Sequence, residues 1–115
     1  MKLMMTLRAG ALAAAFLVAA TMANVASAAE IHVTIDNFTF TPQQITVKQG
    51  DTVIWTNHDD IPHTATSTTK AFASQALDTN DLFSFTFATP GSFSYFCALH
   101  PHMTGLVIVE ANTGR

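Results

Sequence analysis

Cys97 is the single cysteine of the 115-residue chain, and it opens the run Cys97-Ala98-Leu99-His100-Pro101-His102-Met103. A thiolate, an imidazole and a thioether thus fall at C-x2-H-x2-M spacing on what reads as a tight loop. A further imidazole, His63, lies upstream in Ile61-Pro62-His63-Thr64. Two nitrogens and a soft thiolate, with a weak thioether above them, form the ligand set of a mononuclear electron-transfer copper site. Zinc prefers four strong ligands and makes little use of methionine. The candidate metal ligands are therefore His63, Cys97, His100 and Met103, and the expected cofactor is one copper ion cycling between Cu(II) and Cu(I).

Each of these residues has an ordinary alternative. A lone cysteine is most often an inert, buried small hydrophobe, and a lone methionine is core filler. The strand-like run before Cys97 and the spacing to His100 and Met103 favour ligation. Adjacent residues on a tight turn point apart, so His102 is read as a solvent-facing rim residue, with a role in copper delivery or another ligand geometry left open. His32 lies opposite the Ile31/Val33 face and His58 lies in a polar turn, so both are expected in solvent. His58-Asp59-Asp60 reads as a charged turn rather than a second cation site.

These residues need a small exported domain to hold them. Lys2 and Arg8 precede an alanine-rich apolar stretch, and Ala26-Ser27-Ala28 supplies the small-x-small pattern of signal-peptidase cleavage. Residues 1–28 are expected to be a signal peptide and 29–115 the functional domain, periplasmic or otherwise exported, with no stable membrane insertion after cleavage. An uncleaved anchor is the alternative. Beyond residue 28, Lys48, Lys70 and Arg115 face all 8 carboxylates of the chain. That balance gives no sign of nucleic-acid binding. A lone cysteine in an oxidising compartment cannot form an internal disulfide, which again favours a metal ligand. A domain this small needs help from its core or from a metal, and it is expected to act as a monomer.

The chain beyond residue 28 alternates with a period of two. Ile31, Val33 and Ile35 form one such set, Phe83, Phe85 and Phe87 another, and Phe93, Tyr95 and Cys97 a third. Turn signals separate them at Gln49-Gly50-Asp51, Asn57 to Asp60, Thr79-Asn80-Asp81 and Pro90-Gly91. Strands are expected near 30–36, 43–48, 51–57, 62–68, 82–88, 92–97 and 104–110, with 69–81 a less regular connection. The fold class is all-β, an antiparallel sandwich of seven to eight strands. Cys97 then ends one strand, and His63 starts another that returns to the same end. Ligands on two loops, each anchored to a rigid sheet, keep their geometry when the metal's charge changes.

With these residues in view, the sequence resembles the cupredoxins, the small blue copper proteins, and among them amicyanin and plastocyanin. The matching segments are Gly50 to Asn57, Pro62-His63, Pro90 to Cys97, His100-Pro101, Met103 and Gly105 to Val109. The resemblance implies a Greek-key sandwich with His63, Cys97 and His100 in a trigonal plane and Met103 as the distant axial ligand. It also implies an electron shuttle between redox protein donors and acceptors, not an enzyme, with His100 emerging through an apolar patch. Three positions depart from the pattern. Thr64 stands where asparagine commonly ties the two ligand loops together, so its hydroxyl must substitute or the loops are looser. Leu99 replaces a common proline, and its N–H is expected to aim at the Cys97 sulfur and raise the reduction potential. His102 occupies a position more often apolar. A copper-handling or resistance module is the alternative function. An oxidase or nitrite reductase would need further histidine clusters and a second domain.

Overall fold

Alternating side chains become strands at most of the expected places in the computed structural model, which describes residues 27–113. The expected signal peptide, except for its last two residues, lies outside the described residues. The strands are β1 (Glu30–Asp36), β2 (Thr39–Thr41), β3 (Gln44–Lys48), β4 (Thr52–Asn57), β5 (Thr66–Ser67), β6 (Leu82–Thr86), β7 (Gly91–Phe96) and β8 (Thr104–Glu110). They form two four-stranded sheets in the orders β2-β1-β4-β6 and β3-β8-β7-β5. Among the described residues, no helix is long and apolar enough to cross a membrane.

The sandwich is all-β, as expected, but its pairing is mixed rather than wholly antiparallel. β1 pairs with β4 in parallel, and β3 pairs with β8 in parallel. Parallel neighbours need crossover connections. β3 lies between β1 and β4 in the chain but in the opposite sheet, so the chain leaves the first sheet and re-enters it in the same direction.

The expected strand over 62–68 survives only as β5, which pairs with β7 at Thr66↔Phe96 and Ser67↔Tyr95. His63 does not begin a strand; it makes an isolated bridge to Leu77. The physical reason is that the neighbouring backbone donors are spent on side chains. Thr64 N–H donates to Cys97 Sγ at 3.3 Å, and Ala65 N–H donates to Ser74 Oγ at 2.9 Å. Pro62 has no N–H to offer.

Inward faces of both sheets meet around Trp55, which is fully buried and packs against Phe72, Phe83 and Tyr95. Tyr95 lies against β8 where only glycine fits, since a Cβ at Gly105 would run into its ring. Burial pushes the Tyr95 phenol up to about 12, with Trp55 pulling weakly the other way. Trp55 Nε1 and Tyr95 Oη nonetheless reach no partner at hydrogen-bonding geometry. Aromatic area is how so short a chain builds a core.

Candidate metal centre

The β7–β8 connection is closed by its own backbone. Cys97 N–H donates to Met103 O at 3.0 Å, Met103 N–H to His100 O at 2.9 Å and His100 N–H to Cys97 O at 3.2 Å. Cys97 follows the last residue of β7, so its side chain continues the inward alternation and is fully buried. Met103 is buried too, whereas Ala98, Leu99, Pro101 and His102 are exposed.

His63 reaches the same place from another direction. Its N–H donates to Leu77 O at 3.1 Å and Leu77 N–H returns to His63 O at 2.7 Å, which pins the residue to the 69–81 connection. Cys97 Sγ lies 3.7 Å from His63 Nδ1 and 3.6 Å from His100 Nδ1. The three donor atoms all lie within 4.8 Å of one another. Ligands ~2.0–2.3 Å from a metal and spread around it stand roughly 3.5–4 Å apart, so this donor set fits one soft-tolerant ion. His63 is fully buried, whereas His100 is only partly buried. His102 is exposed and stands outside the group.

One functional residue went unread in the sequence. Asp59 Oδ2 lies 2.7 Å from His63 Nε2. A carboxylate there holds the proton on Nε2 and leaves the Nδ1 lone pair turned toward the sulfur. The same carboxylate accepts the N–H groups of Asn37 at 2.6 Å and Phe38 at 2.9 Å. Burial pushes the Asp59 carboxyl up, but those N–H groups and His63 outweigh it and hold the group below its ordinary range. The available signal was Asn57-x-Asp59 four residues ahead of His63. Asn57 Oδ1 accepts Asp59 N–H at 2.9 Å, and Asn57 Nδ2 donates to Ile61 O at 2.9 Å and Leu77 O at 2.8 Å. The 57–60 turn is thus a support for His63 rather than only a solvated charge run. His58 and His32 are exposed, as expected.

Thr64 substitutes for asparagine with its hydroxyl: Ala98 N–H donates to Thr64 Oγ1 at 2.7 Å, joining the two ligand loops. The expectation for Leu99 is corrected. Among the described residues the N–H that reaches the Cys97 sulfur is that of Thr64. Leu99 instead sits, half exposed, in the turn closed by the bond from His100 N–H to Cys97 O.

A family model described as Cupredoxin-like domain matches residues 8–109, and the chain belongs to that family. It is 33% identical over 81 residues to amicyanin of Paracoccus versutus, covering 66% of this chain and 61% of that protein. Amicyanin-alpha of Methylorubrum extorquens is 32% identical over 90 residues, covering 74% of this chain and 76% of the relative. Among solved structures, a purple cupredoxin from Nitrosopumilus maritimus superposes with a TM-score of 0.66 at 31% identity, over 70% of this chain and 99% of that one.

Proposed function

We propose that this protein is an exported type 1 copper protein that carries single electrons between redox partners, with His63, Cys97 and His100 as the strong ligands and Met103 as the axial one. The observation that carries the reading is the convergence of one buried thiol and two Nδ1 atoms from separate loops. Copper, when bound, supplies a one-electron couple. Everything else is done by the chain. Two sheets and the Thr64–Ala98 bond hold the donor atoms in one arrangement, so little need move when an electron arrives. His63 is closed off from solvent, leaving partly exposed His100 as the route in and out. No substrate is transformed, so the protein is not an enzyme in itself.

The surface around His100 supports a protein partner. The exposed large hydrophobics Phe38, Leu82 and Leu99 belong to this end of the sandwich. Exposed Asp36, Asp60, Asp78 and Asp81 also lie there, where β1 and β4 end and β6 begins. Lys48, by contrast, is paired with Glu110 at the opposite end. A donor or acceptor with an apolar contact face and basic flanks fits such a surface. Export rests on the residue 26–28 pattern. It is supported by Ala29, whose backbone nitrogen is 2.8 Å from Asp51 Oδ1, so cleavage after Ala28 would place the new ammonium on a carboxylate.

The test is spectroscopic. The protein loaded with Cu(II) should show an intense visible thiolate-to-copper band, and Cys97→Ser should abolish it; a coloured serine variant would refute the ligand assignment. Electron self-exchange with retained copper supports the carrier, whereas ready release of Cu(I) to a chelator would favour copper handling.

A further inference from the structure

The β1–β2 turn is built from Asn37 and Phe38, with φ of 52° and 57°. Two consecutive positive φ values are the signature of a type I′ hairpin turn, whose preferred sequence is Asn-Gly. A phenylalanine at the glycine position is strained by its Cβ. It is also 44% exposed, which gains little from burial. A bulky residue kept in a strained, half-exposed place calls for another role.

Its ring supplies one. Phe38 meets His63 edge-on with centroids 5.2 Å apart at 82°, and His100 with centroids 5.0 Å apart at 81°. The two imidazoles are themselves 4.9 Å apart. One ring therefore touches both histidines of the centre, although the two come from different loops. The turn is held in place by Asp59, whose Oδ2 is shared between Phe38 N–H and His63 Nε2.

We propose that Phe38, fixed by Asp59, is a positioning residue that clamps the His63 and His100 imidazoles together from the solvent side. The proposal rests on those two residues being metal ligands. Asp59 sets the tautomer of one imidazole through its oxygen and the tilt of both through the turn it anchors. Phe38 thereby slows the escape of His100, the less buried ligand.

Phe38→Gly separates this role from a merely structural one. Glycine suits the turn better, so the metal-free variant should keep or raise its melting temperature. Release of Cu(II) to an excess of a strong chelator should nevertheless quicken about tenfold. Phe38→Tyr should restore slow release. A Phe38→Gly variant that releases copper at the wild-type rate would overturn the clamp, as would one that loses stability in proportion to its metal retention. NMR of the metal-free protein decides the geometry independently of copper. Cross-peaks from the Phe38 ring to both imidazoles are expected, and their absence in the wild type would also overturn the proposal. If wild-type protein shows those cross-peaks yet binds no copper, the copper reading fails while the ring contact stands.

Discussion

The two loops that meet at the centre are made in opposite ways. Residues 97–103 close largely on themselves, with backbone-to-backbone bonds spanning six residues or fewer, while Ala98 N–H reaches out to Thr64 Oγ1. Residues 57–64 have internal bonds from Asn57 to Ile61 and Asp59 and from Asp59 to His63, but they also depend on distant partners: Asn57 and His63 lean on Leu77, Asp59 on Asn37 and Phe38, and Thr64 on Cys97 and Ala98. The first loop determines which donor atoms are present and how far apart they sit. The second determines how an imidazole is turned and how firmly the two halves are joined. A short loop can carry chemistry in its spacing, whereas a long-range loop carries it in its partners.

The sharpest way to break the second loop is Asn57→Ala. Asn57 is fully buried, and its amide satisfies three backbone groups. Removing it leaves Ile61 O and Asp59 N–H unpaired at roughly 1–3 kcal/mol each before relaxation, while Leu77 O keeps the N–H of His63, so a loss of about 3 kcal/mol is expected. Urea denaturation of the metal-free protein measures it, and a loss below about 1 kcal/mol would mean that the loop draws its order from elsewhere.

Thr64→Val removes the hydroxyl tie between the loops, together with its contact to Thr66 Oγ1. Ala98 N–H loses its acceptor while Thr64 N–H keeps its bond to the sulfur. A loss of about 1–2 kcal/mol is expected, with the visible band retained. Loss of colour would show that the hydroxyl, not the backbone, holds the sulfur.

Tyr95 tests the sheet from which the first loop hangs. Its phenol titrates at about 12 in the folded protein, against about 10 in an unfolded chain. The raised value means that the folded state keeps its proton longer, so the contribution is fully present below pH ~10 and is lost as pH rises toward 12. Tyr95→Phe should flatten that alkaline decline. It should cost little at neutral pH, because the hydroxyl has no hydrogen-bond partner to lose. Melting temperatures across pH 8–11 compare the two, and equal alkaline slopes would discount the shift.

The smallest effect belongs to His102→Phe. The side chain is exposed and outside the donor group, so copper binding and colour should persist, with only partner docking altered. A colourless His102 variant would mean that the first loop does not present its donors as described.

Sequence alone determined the donor types, their C-x2-H-x2-M spacing, the sandwich class, the tight turn at Gly50, where φ is 100°, and the break at Pro90-Gly91, where Gly91 opens β7 with φ of 145°. These are local properties: period-two alternation, a short loop and glycine's freedom each show within about ten residues. Thr64 was legible as a departure, and the structure shows how its hydroxyl answers it. Only the tertiary structure decided the parallel pairing of β1 with β4, the breaking of the expected 62–68 strand, the choice of Thr64 rather than Leu99 to serve the sulfur, and the place of Phe38. Asp59 is the clearest case. In the sequence it is one carboxylate among several on a charged turn four residues ahead of His63, and nothing near it in the chain announces Asn37 or Phe38. The two N–H groups that fix its carboxylate are supplied by a hairpin 21–22 residues away, and hydrogen bonds across such a distance exist only once β1 and β4 have paired.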